Sequence, residues 1–145
     1  MSLDHDPAAL SARSLLDSWE QARVLHPLRR TLPLLRLAWP DVPSGDWGAL
    51  PVGARDDCLF ALFEALFGPT LDMRVDCPAC DEPLELSLRA ADLRPGPAAE
   101  PAPLQCDGYE LIYRLPCSDD LAALHGAGDT ATAVQQLLAR CVLQA

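Results

Sequence analysis

Two cysteines separated by two residues, Cys77 and Cys80 in RVDCPACDEPLEL (74–86), are the residues of this sequence best placed to do chemistry. A C-x-x-C pair on a tight turn aims both thiolates to one side and supplies two of the four ligands of a structural zinc. Pro78 stiffens the turn, and Asp81 stands where such turns commonly carry glycine, at a position that prefers positive φ. The other half of a site is missing. There is no second C-x-x-C, and His5, His26 and His125 lack ligand-like spacing. If Asp107-Gly108 turns a hairpin, Cys106 lies beside Tyr109, and Cys117 then falls about 26 Å further on at ~3.3 Å per residue. Those two cannot complete one site together. Cys77 and Cys80 therefore read as an incomplete ligand pair, with either no cofactor or a zinc ion there, and a metal-free turn stays open beside it.

A redox pair needs an activated thiolate, usually at a helix N-terminus after a strand. This pair instead joins two alternating stretches and is flanked by Asp76, Asp81 and Glu82, whose charge is expected to raise the thiol pKa values. Other catalytic patterns are absent: no G-x-S-x-G, no H-E-x-x-H, no glycine-rich phosphate loop. Asp56-Asp57 and Asp119-Asp120 each fall at an expected helix start, where capping and the helix dipole account for them. His125, directly before Gly126, suits a helix C-terminus. The reading is a protein that is not an enzyme.

Composition narrows the partners. The formal net charge of −10 works against binding a phosphate backbone, which depends on cations displacing counterions. Arg23, Arg29, Arg30 and Arg36 cluster, but a short basic stretch on an acidic chain reads first as a solvated helix face. The N-terminal MSLDHDPAALSARS has acids where a signal peptide needs bases, and no stretch approaches the roughly 20 apolar residues that cross a bilayer. Cytoplasmic localisation follows as the expectation, with all six cysteines reduced. No nucleic-acid or membrane partner is expected.

The elements that must position the cysteine pair are legible from period and punctuation. Asp6-Pro7 reads as a helix start, with Leu15, Trp19 and Ala22 along one side. A second helical stretch from Pro27 carries Leu28, Leu32, Leu35 and Trp39, and Pro33 implies a kink or a late start near Thr31. After a loop at Pro40–Gly45, PVGARDDCLFALFEALFG is the strongest helix, opened by Pro51, closed by Gly68, with Cys58 as a buried small side chain. The period then changes to two: Leu71, Met73 and Val75, then Leu84, Leu86 and Leu88, alternate with polar residues and flank CPACDE as two strands. Pro95, Pro97, Pro101 and Pro103 mark a linker over 92–103, and Asp107-Gly108 precedes the alternating YELIYRLP. Ser118 reads as the cap of a short helix ended by Gly126. A last helix from about Asp129 carries Val134, Leu137, Leu138 and Cys141 and runs to Ala145 with no stop signal. The expected architecture is a single α+β domain over 1–145, helical in 7–68, β-rich in 69–117 with a small antiparallel hairpin bearing a zinc-ribbon-like knuckle, and helical in 118–145.

In order along the chain, LLDSWE, LPVGARDDCLFALFEALFG, DCPACDEPLELSL, DGYELIYRLPCSDDLAAL and LLARCVL resemble the T-even-type baseplate protein, or baseplate hub assembly chaperone, family of contractile phage tails and contractile injection systems. The resemblance covers about residues 14 to 143. Longer relatives continue past the equivalent of LLARCVL to a second C-P-x-C, so this chain resembles a short or truncated member. Of the ligand set only Cys77 and Cys80 carry over. The resemblance implies an assembly chaperone or accessory component whose partners are baseplate hub or wedge proteins, bound through apolar surface on the helices. LRRTLPLLRLAW and LFALFEALF hold more apolar surface than one helical stripe needs, although a small domain could bury all of it. The alternatives are a structural baseplate subunit, a zinc-ribbon adaptor for nucleic acid or the transcription machinery, and a thiol oxidoreductase using Cys77 and Cys80.

Overall fold

The computed structural model describes residues 7–42, 46–94 and 101–144. The architecture is α+β, with helices at both ends and short antiparallel sheets between them. Helix α1 spans Ala12–Arg23, and a single 3₁₀ turn follows at Pro27–Arg29. Helix α2 covers Leu32–Ala38, α3 Asp46–Ala49 and α4 Val52–Phe67. Helix α1 starts later than Asp6-Pro7 suggests. Asp6 lies outside the described residues, and Ser11 is the cap, exchanging hydrogen bonds with Ser14 in a reciprocal capping box. Pro33 sits in the first turn of α2, where its missing N–H is not needed, so the late start at Thr31 replaces a kink. Pro51 precedes α4 and Gly68 ends it with φ of 89°, a conformation that costs a residue without Cβ little.

The core forms where α2, α3 and α4 meet. Leu32, Leu35 and Ala38 on α2 close against Leu50, Cys58 and Leu62, and Trp39 lies 5.9 Å from Trp47 between ring centroids. LPLLRLAW is thus mainly core, whereas the end of α4 is not: Phe67 is exposed and touches Phe63 at 5.3 Å.

Strands β1 (Thr70–Asp76) and β2 (Pro83–Arg89) form a two-stranded antiparallel ribbon. A one-turn helix, α5 (Ala90–Leu93), follows directly, so 92–94 belong to the ribbon's base rather than to a linker, and 95–100 lie outside the described residues. A second sheet has the order β3 (Leu104–Cys106), β4 (Tyr109–Tyr113), β5 (Val142–Gln144), with helices α6 (Ser118–Ala123) and α7 (Thr130–Cys141) between its last two strands. The Asp107-Gly108 turn is present, with φ of 49° and 85°, and pairs Cys106 with Tyr109. Helix α7 does not run on toward Ala145. It stops at Cys141, and Val142–Gln144 turns back as a strand on β4, with Arg114 N–H donating to Cys141 O at 2.9 Å. The free edge of β4 needs a partner for its backbone groups, and β-branched Val142 fits a strand better than a helix.

The start of α6 differs from its expected design. Its cap is Cys117 rather than Ser118, and the Asp120 carboxylate reaches back to accept from Cys117 N–H at 3.0 Å. Asp120 also accepts from Arg114 at 2.5 and 2.8 Å and from Arg140 of α7 at 2.9 Å, with its side chain only 1% exposed. One carboxylate thereby joins the end of β4, α6 and α7. Arg114, then Cys117 and Arg140, hold its carboxyl well below the usual carboxylate range against the opposing effect of burial.

Helix α6 also packs against α3 at Gly48, where a Cβ would stand 2.5 Å from Asp119 Oδ2 while Asp119 is ion-paired to Arg29 at 2.8 Å. Gly48→Ala is expected to cost about 1 kcal/mol, through the displaced exposed ion pair and the shifted side chain. In an Asp119→Ala background the same change should cost nearly nothing. Urea unfolding of the four proteins of that cycle checks it; equal costs in both backgrounds would locate the strain elsewhere.

Candidate functional site

The ribbon owes its two faces to its register. Leu71 pairs with Leu88, Met73 with Leu86 and Val75 with Leu84, and directly opposed residues point to the same side of an antiparallel pair. One face is therefore six apolar side chains. The other carries Asp72, which accepts from Ser87 Oγ at 2.6 Å, and the Arg74 and Glu85 pair of the ladder. An apolar sheet face ordinarily packs on a core, yet every residue of β2 is exposed. Val75, Leu84, Leu86 and Leu88 are 40%, 44%, 40% and 36% accessible.

The base is held firmly. Ala90 is fully buried and donates to Pro69 O at 2.9 Å. Arg94 forks onto Asp57 at 2.7 and 2.8 Å and reaches Glu64 at 3.6 Å, tying the ribbon's exit to α4. Asp56 and Asp57 thus lie beyond the first turn of α4 and act through arginines, Asp56 with Arg55, rather than through the helix dipole. The Arg94 hydrogen bond lowers the Asp57 pKa, while burial, aided by Asp57, raises the Cys58 thiol to about 11. Cys58 is an inert core side chain.

At the tip, Cys77 N–H donates to Glu82 O and Asp81 N–H to Cys77 O, both at 2.8 Å, and Asp81 adopts φ of 58°, as the sequence position requires. Cys80 is exposed and Cys77 partly so. The backbone N–H of Ala79, then that of Cys80, then the Cys80 thiol, face the Cys77 sulfur and lower its pKa. The direction is opposite to the rise expected from the flanking acids, because hydrogen-bond donors within the turn set it. Among the described residues no group of three or more His, Cys, Asp or Glu side chains could hold a metal. Cys77 and Cys80 fit a soft cation as two donors, and Cys106, Cys117 and Cys141 do not join them.

Those other cysteines have separate settings. Cys106 is exposed on β3, while Cys117 and Cys141 are buried beside the Asp120 clamp, where Cys117 Sγ donates to Asp120 Oδ2 at 3.1 Å. Burial, then Asp120, raises the Cys141 thiol pKa. The basic cluster is partly engaged: Arg23 lies over the Trp19 ring, Arg29 binds Asp119 and Arg30 donates to Leu25 O. His26 and His125, which spacing did not connect, meet edge to face at 4.7 Å beside a cleft of about 430 Å³ bordered by Arg29, Asp119 and Arg140. His125 therefore contacts a second ring instead of merely ending α6. Nothing in the local sequence signals that pairing, because it depends on how the 3₁₀ turn seats on α6.

No helix among the described residues is long and apolar enough to cross a membrane. No family model, no curated protein and no solved structure matches the chain.

Proposed function

We propose that this chain is a non-catalytic assembly chaperone or accessory component of the baseplate in a contractile phage-tail-like injection system, acting by binding a hub or wedge protein. The observation that carries the reading is the open apolar face of the β1–β2 ribbon. An isolated two-stranded ribbon is marginal in water, and apolar rows of this kind gain stability by docking on another protein. The order of motifs that resembles the baseplate family supports the choice of partner. The ribbon is our choice of binding surface: α2 turns its apolar side chains into the core, and the exposed Trp19 of α1, Phe67 of α4 and Leu138 of α7 stand on separate helices, whereas the ribbon's apolar side chains form one row.

Co-expression with neighbouring hub and wedge proteins, followed by pull-down, tests the proposal. Capture of one of them supports it, and capture of none refutes it. Leu86→Glu should weaken capture at least tenfold, since an apolar interface anchor contributes about 2 kcal/mol and about 1.4 kcal/mol is a factor of ten. Because Leu86 is already half open, the variant should unfold at nearly the wild-type denaturant midpoint. Unchanged capture would move the interface off the ribbon. Recovery of the chain in finished particles would make it a structural subunit; its loss before completion would make it a chaperone.

A further inference from the structure

We propose that the ribbon tip is half of an intermolecular metal site: Cys77 and Cys80 of two copies of this chain together supply four thiolates to one tetrahedral zinc ion. Coordination number sets the requirement, whatever protein the ribbon's apolar face binds. A structural zinc takes four ligands, this chain brings two together, and among the described residues no third donor joins them. A second copy supplies the missing two with the same residues across a two-fold axis, the simplest way for a chain to complete its own half-site.

The tip is shaped for this in advance. Its turn is closed by the hydrogen bonds between Cys77 and Glu82 and between Asp81 and Cys77, and Asp81 already holds the left-handed conformation that the turn needs. The same closed turn sets Cys77 and Cys80 three positions apart around Pro78, the spacing at which one metal ion takes two thiolates from a knuckle. The pair is also accessible. Seven ladder pairs carry the turn about 23 Å along the ribbon at ~3.3 Å per residue, and Cys80 at its end is exposed.

Charge makes the contact conditional. Each tip carries Asp76, Asp81 and Glu82, so two metal-free tips repel. Zinc binding releases one proton from each thiol that enters the site protonated and leaves a complex of four thiolates and one dication. The metal is then the link that holds the tips together, and removing it separates them. The apolar face lies along the side of the ribbon, so tip pairing leaves it free.

The test uses the full chain, reduced and stripped of metal, titrated with zinc alone and in parallel with cobalt as a spectroscopic substitute. The expected result is one zinc per two chains by native mass spectrometry and a doubling of the 15.7 kDa mass in sedimentation, reversed by a chelator. Cobalt should give the intense visible bands of a tetrahedral four-thiolate site. Cys77→Ser and Cys80→Ser should each weaken zinc-dependent dimerisation at least tenfold, whereas Cys106→Ser, at an exposed cysteine off the tip, should leave it unchanged. One zinc per chain with no change in mass would overturn the proposal, as would no zinc uptake or a dimer that survives Cys77→Ser. The wild-type stoichiometry decides the matter even if a variant misfolds.

Discussion

Replacing Asp120 with alanine is expected to destabilise the fold by about 2–4 kcal/mol in urea unfolding. Two contributions combine. The carboxylate caps α6 through Cys117 N–H, and loss of a cap costs about 0.5–2 kcal/mol. It also accepts charge-assisted hydrogen bonds from Arg114 and Arg140, each of a kind that contributes about 1.5–3 kcal/mol. The sum is reduced because both arginines are about two-fifths exposed and regain water when released. Asp120→Asn, which keeps an acceptor but not the charge, should fall between wild type and alanine.

The same residue sets an acid limit. Its folded pKa is depressed below the ordinary 3.8, so its stabilisation is fully present above that value and is lost as pH falls through it toward the folded value. Stability of the wild type should therefore decline between about pH 5 and pH 2, and Asp120→Asn should decline less over that window. Identical slopes in the two proteins would remove Asp120 from the explanation of acid unfolding.

Trp47→Ala should cost about 3–5 kcal/mol, the usual range for emptying a large aromatic site in a packed core. Trp47 is 1% exposed and stacks at an angle on Trp39, at the junction of α2, α3 and α4. Trp47→Phe should cost far less, about 1 kcal/mol or under. Among the described residues the indole Nε1 is buried without an acceptor, so phenylalanine gives up some contact area but removes an unsatisfied donor. Denaturant midpoints of the two variants check the contrast. A phenylalanine variant as unstable as the alanine one would mean that Nε1 has found a partner after all.

Local pattern made much of this fold readable. The period-two runs at 71–75 and 84–88, the Pro51 and Gly68 brackets of α4 and the Asp107-Gly108 turn each specify their element through neighbours in sequence, and each element is present. Features that depend on distant residues were not readable. Asp119 and Asp120 look alike at a helix start, yet Asp119 faces Arg29 across the domain while Asp120 is enclosed by arginines 6 and 20 residues away. Val142–Gln144 becomes a strand only because β4 has an open edge to pair with. The cysteine turn was readable as geometry, but the thiol's electrostatics were not. Its acids were visible in sequence, whereas the direction of two backbone N–H groups depends on how the turn closes.

The separation of twenty positions between Asp120 and Arg140 also makes the junction of β4, α6 and α7 a cooperative unit. Fraying of α7 withdraws one donor from the carboxylate that caps α6, so loss of order in the last helix loosens the start of the one before it.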